Sequence, residues 1–99
     1  MIASKQLDGT SLTIALEGRI DTLTAPQLET ELASCLSGVK TLVLDFAQVA
    51  YISSAGLRVL LSTHKKMLAA GGSLTIANAV PAVREVFDIT GFSDILTLS

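Results

Sequence analysis

Ser53 and Ser54 are adjacent hydroxyls in Tyr51-Ile52-Ser53-Ser54-Ala55-Gly56-Leu57-Arg58, where a strand-like run hands over to a helical one. Such a helix start has unpaired backbone N–H groups and the positive end of the helix dipole. A hydroxyl cap suits that position, and so does an anion. Leu57, three residues past Ser54, is neither Glu nor Gln, so no capping box forms, and Arg58 adds positive charge to the first turn. Capping contributes typically ~1 kcal/mol and accounts for one serine. Two serines without a nearby acid fit a phosphorylation site. A phosphoserine adds about −1.5 to −2 charge units and can accept from the free N–H groups.

A nucleophilic serine would need a base within hydrogen-bond reach. The single histidine, His64, lies about ten residues along the same helix, hence roughly 15 Å away along its axis. The surrounding residues also lack the Gly-x-Ser-x-Gly elbow of serine hydrolases. A stand-alone hydrolase is therefore a poor reading. His64 falls on an apolar helix face, without a second ligand four residues away, and reads as a hydrogen-bonded, partly buried side chain rather than a metal ligand. Asp21 ends a strand just before a helix, where an acid commonly settles a turn. If its strand neighbours the one before Ser53, Asp21 sits at the same sheet end as the serines. Lys65-Lys66 read as a solvated helix face, Gly71-Gly72 as a helix stop, and Asp88 and Asp94 as isolated acids. No phosphate-cradling glycine motif and no metal-ligand spacing is present, so neither a cofactor nor a metal is expected.

The elements that must position these groups follow from periodicity. Ile2–Leu7 is a weak strand, Asp8-Gly9 a hairpin signal, and Ser11–Glu17 an alternating, half-buried strand closed by Gly18-Arg19-Ile20-Asp21. Thr24 with Gln27 predicts a capping box for a helix with Pro26 in its first turn. Leu28, Leu32, Cys35 and Leu36 form its apolar stripe, and Ser37-Gly38 end it. Thr41–Phe46 is more continuously apolar, as for a central strand covered on both faces. The second helix runs from Ala55 to about Ala70, with Leu57, Leu60, Leu61, His64 and Leu68 sharing one face. Ser73–Ala77 is a fourth strand. Pro81 opens a short helix with Val83, Val86 and Phe87 on its apolar side and Gly91 as its stop. Asp94–Leu98 is a last strand. The order β-β-α-β-α-β-α-β predicts one α/β domain over 1-99, a mixed sheet with parallel crossovers and helices packed on it.

Composition narrows the function class. The 99 residues are 49% hydrophobic and 16% charged, with net charge −2. The seven basic residues are scattered, which excludes a basic stripe for nucleic acid. The one cysteine, Cys35, cannot pair internally and reads as a small buried hydrophobe. No apolar run approaches the ~18 residues of a membrane span, and Met1–Thr10 lacks a signal-peptide pattern. A soluble, cytoplasmic, non-enzymatic domain with one anion-friendly helix end is expected.

These residues resemble the STAS domains, the bacterial anti-sigma factor antagonists and the related domains of sulphate transporters. The resemblance is carried by Asp45-Phe46, a short link, and Tyr51 through Leu60. It extends over the chain through Gly18-x-Ile20-Asp21, Gly71-Gly72 and Val83-x-x-Val86-Phe87-x-x-x-Gly91. It implies a four- or five-stranded sheet with helices mainly on one side, and partner switching. The unphosphorylated antagonist binds an anti-sigma factor that is also a serine kinase and so frees the sigma factor. Phosphorylation by that kinase reverses this, and a serine phosphatase resets it. Aligned on Gly56, the family's Asp-Ser-Ser/Thr/Ala-Gly pattern puts the acceptor at Ser54 and Ser53 in place of the family aspartate, with Ser53 as the alternative acceptor. Asp21 matches the family acid beside the site. The partner surface implied comprises Asp21, Thr22, Ser53, Gly56, Arg58, Val59 and Ser62.

The departure at Ser53 removes a negative charge beside the acceptor and leaves room for a member that binds without phosphorylation. Family members also serve as accessory subunits of membrane transport systems, the second function class considered. The sequence leaves the oligomeric state open, a weak dimer included.

Overall fold

The computed structural model describes residues 1–99. Five strands, β1 (Ile2–Asp8), β2 (Ser11–Ile20), β3 (Thr41–Ile52), β4 (Ser73–Ala77) and β5 (Thr97–Leu98), form one sheet in spatial order 1-2-3-4-5. The β1–β2 hairpin is antiparallel and every later pair is parallel. Helices α1 (Ala25–Cys35), α2 (Ser54–Ala69) and α3 (Pro81–Thr90) make the crossovers. A parallel connection requires such a crossover, so a sheet in simple sequential order places successive helices side by side.

Strict alternation in β2 and β3 sends Leu12, Ile14, Leu16, Leu42, Leu44 and Phe46 into the core. Thr13, Ala15, Val43 and Asp45 point the other way and stay half-exposed. The central strand is therefore covered on one face, not on both as its apolar run suggested. The helices fill the covered side. Phe46 of β3 meets Phe87 of α3 with ring centroids 6.2 Å apart. Lys5 of β1 pairs with Glu31 of α1 in the chain's ion pair.

Local chemistry sets the element ends. Val80 precedes Pro81, which needs no amide donor at a first helical position, and Gly91 stops α3 with φ 79. That left-handed turn leads into a 3-10 turn, Phe92–Asp94, so the expected last strand shrinks to Thr97–Leu98. β3 runs six residues beyond the expected end at Phe46. Two register shifts against β2 explain why the extension was hidden. Each inserts an extra residue in β3 and resets the alternation a pattern search relies on. No helix is long and apolar enough to cross a membrane.

Helix α2 buries Gly56, Leu57, Val59, Leu60, Thr63 and Met67. Its buried face is rotated roughly a quarter turn from the expected Leu57-Leu60-Leu61-His64-Leu68 stripe, at 100° per residue. Leu68 is consequently 57% exposed. His64 is half-buried as expected, but its Nδ1 is buried with no hydrogen-bond partner, which corrects the expectation of a satisfied histidine. An unsatisfied buried polar atom costs about 1–3 kcal/mol. His64→Leu is therefore expected to raise the melting temperature, read by a thermal melt, because it removes that cost and improves helix propensity. A lower melting temperature would mean that Nδ1 is satisfied in solution.

Cys35 ends α1 half-buried, its thiol 3.6 Å from the Leu32 carbonyl. Burial pushes that thiol upward, so it does not behave as a reactive thiolate.

Candidate functional site

Parallel pairing of β2 with β3 aligns Ile20 with Ile52, so Asp21 and Ser53 leave the sheet side by side. The Ser53 amide donates to the Ile20 carbonyl at 2.8 Å and ties the two exits together. Ser53 has extended backbone, φ −94 and ψ 172, and is the N-cap of α2. Its Oγ accepts from the Gly56 amide at 3.3 Å, and its carbonyl accepts from the Leu57 amide at 2.9 Å. Ser54 is the first residue of the helix and is exposed. The two serines thus divide the work. Ser53 is half-buried and engaged in capping, whereas Ser54 presents a hydroxyl to solvent beside the remaining free N–H groups of the first turn. No acid occupies that turn.

The loop opposite is organised by Asp21. Its Oδ1 accepts from the amides of Leu23 and Thr24, each at 3.0 Å. This Asx-type turn replaces the expected capping box. Thr24 holds the N-cap position of α1 without capping it. Its Oγ instead accepts from the Asp21 amide at 2.9 Å and donates to the Arg19 carbonyl at 2.8 Å. The Asp21 carboxylate takes the Thr24 amide that the Gln27 side chain would bond in a capping box, and the Thr24 hydroxyl is already engaged with the Asp21 amide and the Arg19 carbonyl.

The Asp21 carboxyl is held below its ordinary value of 3.8. The Thr24 amide contributes most, followed by the Leu23 amide, the Thr24 hydroxyl and nearby Arg19, with partial burial opposing them. A lowered folded value means the bound carboxylate stabilises the loop fully above the unfolded pKa. That contribution is lost as pH falls through the lower, folded pKa. Asp21→Asn should therefore lower the melting temperature near pH 7, and the gap from the wild type should close as pH falls below about 3.8. A gap that stays constant into acid would show that charge is not what holds the turn.

Of the expected contact residues, Thr22 and Arg58 are exposed, and Ser62 is exposed about two turns further along α2 than Ser54. Val59 is buried, 6% exposed, and forms groove floor rather than open surface. Gly56 lies deeper than Thr22, Arg58 and Ser62. It is buried, and a Cβ built on it would lie 2.6 Å from Ile20 Cγ2 and 2.8 Å from Ile52 Cγ1. Glycine at this position permits the close helix–sheet packing.

A groove of about 430 Å³ runs between α1 and α2 beside Ser54. Thr22, Ala25, Pro26, Glu29 and Thr30 form one wall, and Ala55, Arg58 and Val59 the other. Sequence reasoning missed the first wall except for Thr22. The signal was present as helical spacing, since 22, 25, 26, 29 and 30 share a stripe adjacent to the buried one. It also missed Leu23, 88% exposed on the Asp21 loop, and the stacking of Arg19 over Tyr51, 4.4 Å from the ring centroid. That pair comes from cross-strand neighbours, which local sequence does not disclose.

Comparison with known proteins places this geometry in context. BtrV of Bordetella bronchiseptica, named as an anti-sigma factor antagonist, is 41% identical over 95 residues, covering 95% of this chain and 81% of BtrV. The anti-sigma-B factor antagonist of Bacillus subtilis is 34% identical over 86 residues, covering 87% of this chain and 79% of that protein. The crystal structure of an anti-sigma factor antagonist from Mycobacterium paratuberculosis superposes with a TM-score of 0.87 at 26% identity, covering 98% of this chain and 83% of that one. The STAS domain family model matches residues 1–99. With its sheet order, its crossovers and the Ser53–Gly56 helix start, this chain belongs to the STAS domain family.

Proposed function

We propose that this chain is an anti-sigma factor antagonist that works by partner switching, with Ser54 as the phosphorylated residue. In its unphosphorylated form it binds an anti-sigma factor that is also a serine kinase, and the sigma factor is released. Phosphorylation of Ser54 ends the complex, and a serine phosphatase restores the binding form. The observation that carries this reading is the division between the two serines. Ser53 caps α2, while Ser54 leaves its hydroxyl exposed at the helix start next to the groove. The names of the relatives support the same function.

A phosphate at Ser54 does not need to unfold anything. The helix dipole and free N–H groups favour it locally. It acts on the interface, where a charge buried without a partner costs several kcal/mol. Asp21, Thr22, Arg58 and Ser62 surround that position as contact residues, and Ser53, Gly56 and Val59 shape it from beneath.

The test is displacement. A complex of the cognate anti-sigma factor with its sigma factor is titrated with this chain and followed by size-exclusion chromatography. Release of free sigma factor and a new complex of this chain with the anti-sigma factor are expected. A sigma complex that stays intact at excess antagonist would refute the reading.

A further inference from the structure

The sheet ends in two edges: β5, two residues long, and β1, seven residues long. Edges are commonly guarded by proline, a bulge, a charge or a covering element. β1 has no proline, pairs with β2 without a register shift, and is exposed at every residue except the half-buried Ala3. Its one mid-strand charge, Lys5, is already paired with Glu31 of α1. The hairpin shows which backbone groups the edge offers. Gly9, at φ 62, opens a two-residue loop between Asp8 and Ser11. Such a turn closes on a pair that exchanges backbone hydrogen bonds, here Asp8 with Ser11. Alternation makes Gln6–Thr13, Ser4–Ala15 and Ile2–Glu17 the next bonded pairs. The N–H and C=O groups of Ala3, Lys5 and Leu7 therefore point away from β2, into the open edge.

We infer that β1 pairs antiparallel with β1 of a second copy of this chain, about a two-fold axis between the two Lys5 residues, giving a continuous ten-stranded sheet. Centring on Lys5 uses all three outward residues: Ala3 opposite Leu7 of the second copy, Lys5 opposite Lys5, and Leu7 opposite Ala3. Each pair exchanges two backbone hydrogen bonds, and the helices of both copies stay on one face. On the helix side, small Ala3 leaves room for Leu7, which is 64% exposed in the single chain. On the open side, Ser4 faces Gln6, a hydroxyl against an amide. Two bare lysines opposite each other would repel. Each brings its own Glu31, so two cations and two carboxylates meet with no net charge. That self-complementarity selects a second copy over an unrelated strand. One seven-residue strand buries an area at the low end of protein interfaces, so the dimer is weak. The inference does not depend on the antagonist function, because β1 lies two strands from β3, which leads into Ser53 and Ser54.

Sedimentation equilibrium of the full chain up to about 1 mM, the scale of a weak complex, is the first test. The weight-average mass should climb from 10.3 kDa toward twice that value. A mass that stays at 10.3 kDa throughout would overturn the inference. Leu7→Pro removes an outward amide and no bond to β2, so the chain should still fold, as a thermal melt checks. It takes two hydrogen bonds from the dimer, and about tenfold weaker association is expected. A folded Leu7→Pro chain that dimerises as tightly as wild type would place the contact elsewhere and overturn the inference. Cross-linking tests the register independently. In a Cys35→Ala background, Ala3→Cys and Leu7→Cys are made singly and together and oxidised mildly. Within one strand the two positions lie roughly 13 Å apart, too far for a disulfide. Across the axis their Cα atoms come to about 5.5 Å. The double variant should form covalent dimers and neither single variant should. Cross-linking by Leu7→Cys alone, or none in the double variant, would overturn the pairing.

Discussion

Ser54→Asp is expected to weaken binding to the anti-sigma factor by about 100-fold or more, while the melting temperature stays within about 2 °C of wild type. The first figure follows from leaving a charge unpaired in a buried interface, which costs several kcal/mol, at 1.4 kcal/mol per factor of ten. The second follows from position. Ser54 is the first residue of α2 and exposed, its turn holds no acid, and an acid there complements the dipole. The carboxylate meets no packed neighbour that must move. Titration calorimetry beside a thermal melt separates the two effects. Loss of folding together with loss of binding would sink the interface account, because the charge would then act on the fold.

Gly56→Ala is expected to do the reverse. Alanine gains up to about 1 kcal/mol in helix propensity over glycine. Against that, its Cβ would meet Ile20 Cγ2 at 2.6 Å, Ile52 Cγ1 at 2.8 Å and the Ile20 carbonyl at 3.3 Å. Both isoleucines are fully buried, 0% and 2% exposed, and β-branched, so neither side chain can swing aside. Overpacking of a rigid contact costs about 1–3 kcal/mol, and a clash with two stiff partners belongs at the top of that range. A net loss of roughly 2 kcal/mol should lower the melting temperature by about 8–16 °C in a domain of this size. Affinity of the folded fraction should change little, since Gly56 is beneath the surface. An unchanged melting temperature with lost binding would place Gly56 in the contact surface.

Much of this was legible in the sequence, and particular residues show why. The Val80-Pro81 entry and Gly91 exit of α3 were readable because proline and glycine act through their own backbones, whatever surrounds them. The juxtaposition of Asp21 with Ser53 followed from topology alone, once β2 and β3 were taken as parallel neighbours. The failures share a different cause. The Thr24-Gln27 pattern was a sound local signal, but the Asp21 carboxylate took the Thr24 amide and the Thr24 hydroxyl turned to the Asp21 amide and the Arg19 carbonyl. The far half of β3 was hidden by two bulges. The buried face of α2 was misjudged because Leu61 and Leu68 are as apolar as Val59 and Met67. Only the sheet and α1 decide which of them turn inward. The α1 wall of the groove needed the relative placement of two helices, which no single stretch of sequence contains.

The central claim is that Ser54, not the capping Ser53, is the switch. Intact-mass analysis after incubation with the cognate serine kinase and ATP tests it most directly, with wild type, Ser54→Ala and Ser53→Ala side by side. The account predicts one added phosphate on wild type and on Ser53→Ala, and none on Ser54→Ala. A phosphate that disappears only in Ser53→Ala, or none on any of the three, would contradict it.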